Sequence, residues 1–175
     1  MSRYRRAHVP GGMFFFTVTI ADRRDDILVR HIEHLRASYQ RVQQARPFET
    51  LAICILPDHL HAIWKLPAGD SDFSTRWSLI KSAFSRGGPT ASQRSESKIS
   101  KRDKGVWQRR YWEHAIRSDS DLERHVAYVH FNPVKRGIVA RVSDWPYSFH
   151  RFVGRGLLPS DWGGDVRDVP GRFGE

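Results

Sequence analysis

Two histidines, His59 and His61, flank a single leucine directly after the turn signal Pro57-Asp58. In a β-strand, side chains two residues apart project from the same face, so both imidazoles would point the same way. Because neutral imidazoles are common ligands of divalent cations, the pair predicts a metal site. Taken alone, the residues leave a second interpretation equally open, in which both histidines are exposed or hydrogen-bonded and bind no cation.

Two other uses of this segment fit the residues less well. A histidine-triad nucleotide hydrolase would need a third histidine at the position of Ile63. A structural zinc site built on Cys54 would lack a second cysteine and a closed set of ligands at the usual spacing.

The segment from Tyr128 to Asn132 carries a possible nucleophile. In a helix its two ends lie one above the other. At about 100° per residue, Tyr128 and Asn132 fall on a flank of the apolar stripe, together with Asp121 and His125. That stripe is formed by Leu122, Val126 and Val129. For an isolated tyrosine, the residues favour a partly buried side chain, followed by an asparagine that caps the turn at Pro133.

Taken together, the histidine pair and the tyrosine indicate phosphodiester chemistry, because that chemistry needs both charge neutralisation and a nucleophile. Two imidazoles and the Asn132 amide are able to hold a cation that polarises a phosphate. A nearby cation would also lower the pKa of Tyr128 from about 10 and so make the tyrosine a better nucleophile. The chain has no Gly-rich phosphate loop of the P-loop type, so we expect no nucleotide cofactor.

The charge of the chain predicts a polyanionic partner. Its formal net charge is +10 and its pI is near 10.3, which makes nucleic acid the first candidate and leaves an anionic membrane surface or a merely solvated surface as alternatives. The segment Trp107–Trp112 interleaves guanidinium groups with large rings that stack on bases, although buried rings and solvated charges explain it nearly as well. The candidate DNA contacts are Arg3, Arg5, Arg6, Lys81, Arg109, Arg110, Trp112, Lys135 and Arg136.

Apolar patterning predicts the order β-α-β-β-α-β-α. The predicted strands are Met13–Ile20, Leu51–Leu56, His59–Leu66 and Tyr111–Ile116. The predicted helices are Asp26–Ala45, Asp72–Phe84 and a third that runs from a cap at Ser118 or Asp119 toward Asn132. This order is typical of an α+β fold of the split βαβ type, an antiparallel sheet with helices on one face.

The length indicates a single domain, which we place at residues 1–150. Within it, the composition at about 85–105 predicts a basic flexible loop. Residues 151–175 form a C-terminal tail, whose end we expect to be mobile. The single cysteine excludes an intramolecular disulfide and fits a reducing compartment. The N-terminal residues lack the apolar stretch of a secretion signal, and the apolar runs are too short to span a bilayer. We therefore expect a cytoplasmic protein.

Three ordered motifs resemble those of the REP-associated tyrosine transposases, relatives of the single-tyrosine HUH insertion-sequence transposases. They are PDHLHAIW (Pro57–Trp64), WQRRYWEHAIR (Trp107–Arg117) and YVHFNPVKRG (Tyr128–Gly137). The resemblance extends from about Pro10 to Phe149. It implies a ferredoxin-like, HUH nuclease-type core in which the sheet carries the histidine pair and the last core helix carries the nucleophile.

The resemblance also implies roles for these residues. His59 and His61 would bind Mg²⁺ or Mn²⁺, with Asn132 as third ligand where the insertion-sequence relatives usually have glutamine. Tyr128 would attack a single-stranded hairpin DNA, leaving a 5′-phosphotyrosine and a free 3′-hydroxyl, and the N-terminal arginines would read the hairpin flank. Because the REP-associated transposases are more often monomers than dimers, the resemblance also implies a monomer. The alternatives are a catalytically silent regulator that binds hairpin DNA and a phosphodiesterase that uses water.

Overall fold

The computed structural model describes residues 7–88, 105–148 and 150–162. The predicted DNA contacts Arg3, Arg5 and Arg6 lie outside the described residues. Most of the predicted basic loop and the end of the predicted tail also lie outside them.

An antiparallel sheet of four strands forms the centre of the fold. The strands are β1 (Met13–Thr19), β2 (Glu49–Ile55), β3 (His59–Lys65) and β4 (Trp112–Ile116). Their spatial order is β2-β3-β1-β4, and every neighbouring pair is antiparallel. The prediction of an α+β, ferredoxin-like core is confirmed.

Two crossover helices cover one face of the sheet. They are α2 (Ile32–Ala45), which connects β1 to β2, and α3 (Phe73–Gly87), which connects β3 to β4. Aromatic side chains from the strands and from α3 fill the layer between them, and the rings of Trp64 and Trp77 stack with centroids 4.2 Å apart. This layer is the main hydrophobic core.

The predicted helix Asp26–Ala45 is divided in the structure. A single turn, α1 (Ile27–Arg30), ends at His31, whose φ of −115° and ψ of 36° are not helical, and α2 begins at the next residue. The Leu28 amide donates to the carbonyl oxygen of Pro57, which ties α1 to the turn between β2 and β3. The predicted single helix is therefore two helices, separated at His31.

The helix α4 (Asp119–Lys135) lies on the opposite face of the sheet, so the expected placement of helices on one face holds only for α2 and α3. It packs there because both central strands also bury apolar side chains on that face, namely Phe15 of β1 and Ile63 of β3. The predicted cap is confirmed, since the Ser118 hydroxyl accepts from the Asp121 amide.

The C-terminal end of α4 lies beyond the predicted one. The helix continues through Pro133 to Lys135, so Asn132 lies within it and does not cap a turn. A proline inside a helix removes one intrahelical donor, but the Arg136 amide still donates to the carbonyl oxygen of Asn132.

The segment after α4 returns across the molecule. A 3₁₀ turn (Val142–Asp144) precedes Trp145, whose indole N–H donates to the Ile55 carbonyl oxygen, and the Ile55 amide donates to the carbonyl oxygen of Tyr147. A short helix, α5 (His150–Gly154), follows and buries Phe152. None of the helices in the described residues combines the length and the apolar character needed to cross a membrane.

Candidate functional site

The histidine pair lies at the start of β3, on the face of the sheet that α4 covers. His61 pairs with Thr17 of β1 and Cys54 of β2, and His59 pairs with Thr19 of β1. Both histidines are 0% exposed, and their Nε2 atoms lie 3.1 Å apart. The two imidazoles therefore share a face, as strand alternation predicts, and converge on one point.

A hydrogen bond at Nδ1 orients each imidazole. Nδ1 of His59 lies 2.6 Å from Oδ1 of Asp58, and Nδ1 of His61 lies 2.9 Å from Oγ1 of Thr17. Because an ionised carboxylate only accepts, His59 donates from Nδ1 and presents Nε2 to His61. Partners of this kind fix the tautomer of metal-binding histidines.

The charge state of Asp58 supports this orientation. Burial raises the pKa of its carboxyl, but the hydrogen bonds and charges of His59 and Arg23 outweigh burial, so that the pKa is lowered overall. The Arg23 guanidinium donates to Oδ2 of Asp58 over 2.9 Å. Asp58 is therefore a carboxylate at neutral pH.

The residues around the histidine pair fit a divalent cation. Two nitrogen ligands about 2.1 Å from one cation are separated by roughly 3 Å, which matches the 3.1 Å between the two Nε2 atoms. Asn132 is fully buried on α4, one helical turn after Tyr128, and carries an amide oxygen of the kind that binds divalent cations. Cys54 is a poor ligand, because burial raises the pKa of its thiol to about 12.

Tyr128 lies directly against the histidine pair. Its ring centroid is 5.1 Å from that of His61 and 6.0 Å from that of Phe15. The Lys135 ammonium lies 5.0 Å from the centre of the tyrosine ring. The tyrosine is only 2% exposed and belongs to the apolar cluster with Val129, so it is more deeply buried than its predicted position on the flank of the helix suggests.

The described candidate DNA contacts fall into separate groups. Trp112 lies at the start of β4 on the same face as the histidine pair, and Lys135 and Arg136 are exposed at the end of α4. Lys81 and Arg109 instead line a cavity of about 420 Å³ beside α3, where the Lys81 ammonium donates to the Gln108 carbonyl oxygen. Arg110 is exposed next to them.

A further cluster, His114, Asp121 and His125, lies beside the site. Nε2 of His114 is 2.9 Å from Oδ2 of Asp121, and Nδ1 of His125 is 3.2 Å from Oδ1 of the same carboxylate. Helical spacing predicts Asp121 and His125 on the flank that carries Tyr128 but assigns them no role, and His114 is not among the predicted site residues. The signal that could have found them is two histidines and an aspartate close together along the chain.

The electrostatics of this cluster follow from burial and hydrogen bonding. Burial raises the pKa of Asp121, but the hydrogen bonds from His114 and the Arg117 amide outweigh it, so that the pKa is lowered overall. Burial lowers the pKa of His125, against the opposing effect of Asp121. At neutral pH the cluster therefore contains a carboxylate beside a neutral His125 imidazole.

Comparisons with known proteins agree with this geometry. No family model matches the chain. A REP-associated tyrosine transposase of Escherichia coli K12 is 47% identical over 169 residues, which cover 96% of this chain and 94% of that protein. A Haemophilus influenzae protein described under the same family name is 45% identical over 167 residues, which cover 94% of this chain and 95% of that protein.

A solved structure shows the same fold. It is that of a REP-associated tyrosine transposase bound to a REP hairpin, and it matches with a TM-score of 0.84 and 46% identity over 100% of this chain and 98% of that one. Such identity over nearly the whole length confirms the resemblance seen in the three motifs. The chain therefore belongs to the REP-associated tyrosine transposases.

Proposed function

We propose that the chain cleaves and rejoins single-stranded DNA at palindromic hairpins through a covalent 5′-phosphotyrosine bond to Tyr128. The observation that carries the proposal is the contact between the tyrosine and the histidine pair, with ring centroids 5.1 Å apart and the two Nε2 atoms convergent. The hairpin substrate is supported by the related transposase that is bound to a REP hairpin.

We propose that His59, His61 and Asn132 hold Mg²⁺ or Mn²⁺. When bound, such a cation supplies positive charge that polarises the scissile phosphate and favours the tyrosine phenolate. Asp58 and Thr17 act through the histidines by fixing the direction of each ring. The site thus combines charge neutralisation with a nucleophile.

The covalent step balances without an external energy source. The hydroxyl oxygen of Tyr128 forms a bond to phosphorus as the bond from phosphorus to the 3′ oxygen breaks. The tyrosine loses its proton, and the departing 3′ oxygen gains one. In the reverse step a 3′-hydroxyl attacks the phosphotyrosine and releases the tyrosine, so rejoining needs no ATP.

The cationic groups near Tyr128 fit an incoming phosphate. The ammonium of Lys135, which is exposed, lies 5.0 Å from the tyrosine ring, where it favours both the phenolate and the DNA backbone. Trp112 on the same face offers a ring for base stacking. We propose that the other candidate DNA contacts bind the DNA that flanks the hairpin. They are Arg3, Arg5, Arg6, Lys81, Arg109, Arg110 and Arg136.

We also propose that a monomer is sufficient for cleavage. Tyr128 and both histidines meet within a single chain, so the geometry does not require a second copy to supply the nucleophile.

The burial of Tyr128 favours a second candidate function, a catalytically silent regulator that binds hairpin DNA. A nucleophile with 2% exposure must become accessible before it meets a phosphate. Such a regulator would keep the fold and the charge and would form no adduct.

The test uses hairpin DNA labelled at its 3′ end, the full chain and Mn²⁺, resolved on a denaturing gel. We expect a labelled band at the combined mass of protein and DNA that is absent in Tyr128→Phe and His61→Ala and unchanged in the control Tyr147→Phe. Cleavage that persists in Tyr128→Phe would indicate a nuclease that uses water. Tight binding without cleavage across hairpins and both metals would favour the regulator.

A further inference from the structure

A second set of metal-ligating side chains lies at the rim of the sheet face that α4 covers. We propose that His114, Asp121 and His125 bind a divalent transition-metal cation of borderline softness, such as Zn²⁺ or Co²⁺, at a site separate from the histidine pair. This inference does not depend on the proposed cleavage of DNA.

The donor atoms of the three residues converge from two elements. His114 comes from β4, and Asp121 and His125 come from successive turns of α4. Their ligand atoms all lie within 4.8 Å of one another. The 2.9 Å from Nε2 of His114 to Oδ2 of Asp121 is close to the roughly 3 Å between ligands that share a cation with bonds of about 2.1 Å. Nδ1 of His125 lies 3.2 Å from the other carboxylate oxygen, Oδ1, and donates to the backbone carbonyl oxygen of Asp121 over 2.7 Å.

Stacking of parallel rings holds the imidazoles in place. The His114 and His125 rings stack with centroids 4.8 Å apart and planes 12° apart. The Trp112 ring also stacks on that of His114, with centroids 5.9 Å apart and planes 5° apart. The stack prevents the imidazoles from turning away from Asp121, so the ligands are largely arranged before a cation binds.

The ligand set determines which cations fit. Two imidazoles and one carboxylate suit Zn²⁺, Co²⁺ and Fe²⁺ better than Mg²⁺, which prefers oxygen ligands. The His114 side chain is 34% exposed, so a cation can enter from solvent and keep water as a further ligand.

The site is physically distinct from the histidine pair. The two sites use different side chains and share only a contact with the Phe15 ring, whose centroid is 4.9 Å from that of His125 and 5.5 Å from that of His61. A cation at the rim would join β4 to the first turns of the helix that carries Tyr128. It would therefore stabilise the position of α4 and take no direct part in the chemistry.

Hydrogen bonding offers a competing explanation for the same cluster. The Asp121 carboxylate accepts from the Arg117 amide at the start of α4, and Nε2 of His114 is able to donate to it. Nδ1 of His125 donates to the backbone carbonyl oxygen of Asp121 over 2.7 Å. In that case the cluster only caps the helix and binds no cation. The two explanations differ in the number of cations that each chain binds.

The experiment measures Co²⁺ binding to the full chain after removal of metal by chelation, in the absence of DNA. Equilibrium dialysis gives the number of bound ions, and visible absorption reports nitrogen coordination. The test variant is His114→Gln, which keeps a donor to Asp121 but loses the imidazole. The control is His8→Gln, because His8 is an exposed histidine outside the cluster. Circular dichroism establishes that both variants are folded.

We expect His114→Gln to bind one Co²⁺ fewer per chain than the wild type, and His8→Gln to bind the same number. Equal binding by wild type and His114→Gln would overturn the proposal. On the wild-type chain, Co²⁺ should also shift the NMR signals of the His114 and His125 imidazoles, and unshifted signals would overturn the proposal without any variant. A parallel His61→Gln chain reports on the histidine pair, so failure at one site is distinguishable from failure at the other.

Discussion

The two faces of the sheet are built from different kinds of side chain, although they share the same strands. The face under α2 and α3 buries a continuous aromatic and aliphatic core that includes Phe14, Phe16, Trp64 and Trp77. The face under α4 gathers side chains able to perform chemistry, namely His59, His61, His114, His125 and Tyr128. Because successive strand residues point to opposite faces, one strand contributes to stability and chemistry at alternate positions.

The first prediction concerns chemistry without a large change in stability. Tyr128→Phe should abolish the covalent adduct with hairpin DNA completely, because the nucleophilic oxygen is lost while the ring stays against His61. The free energy of unfolding should fall by no more than about 1.5 kcal/mol, the contribution of a typical hydrogen bond. Gel detection of the adduct and urea unfolding measure the two effects. Extensive unfolding of the variant would contradict the separation of the two faces.

The second prediction is the converse change on the opposite face. Trp77→Ala should lower the free energy of unfolding by about 3–5 kcal/mol, because it leaves a cavity against Trp64. Trp77→Phe, the matched control, keeps a ring there and should lose less than half as much. Urea titration at low temperature measures stability, and the adduct yield per folded molecule should stay near that of the wild type. A loss below about 1 kcal/mol would show that this layer does not dominate stability.

The third prediction tests the orientation of the histidine pair. Asp58→Asn should weaken Mn²⁺ binding by about 10–100-fold, as expected when the partner of a ligating histidine is changed. Calorimetric titration without DNA measures the affinity. Asp22→Asn is the control, since Asp22 forms its ion pair with Arg24 and not with a histidine. If both variants bind Mn²⁺ as the wild type does, the Asp58 contact has no role in cation binding.

The smallest expected effect concerns the start of α4. Ser118→Ala should cost about 1 kcal/mol, because its hydroxyl caps the helix by accepting from the Asp121 amide. Hydrogen exchange should show faster opening confined to the first turn of α4. Ser78→Ala, an exposed serine on α3, should leave stability within about 0.5 kcal/mol of the wild type. Faster exchange throughout the sheet would show that the cap controls more than its own helix.

Local patterns were sufficient to predict the strands and the shared direction of His59 and His61. Strand alternation fixes that direction regardless of the rest of the fold. The cap at Ser118 was predictable for the same reason, since it depends on residues within one turn.

Features that depend on distant residues could not be predicted from local patterns. The face occupied by α4 follows from apolar residues on both sides of β1, and the break at His31 accompanies a contact between α1 and Pro57. The cluster at His114 forms only when β4 and α4 pack together. The burial of Tyr128 likewise follows from how α4 crosses the sheet, which helical spacing alone does not specify.

Two hydrogen bonds join Ile55 to Trp145 and Tyr147, and this bridge limits how other chains can add to the sheet. β2 is an outer strand, and an outer strand exposes backbone groups on which a foreign strand can add. At Ile55 the amide donates to the Tyr147 carbonyl oxygen, while the Ile55 carbonyl oxygen accepts from the Trp145 indole. A strand from another molecule would have to displace this segment before it could extend the sheet here, so the bridge protects this end of β2 against aggregation.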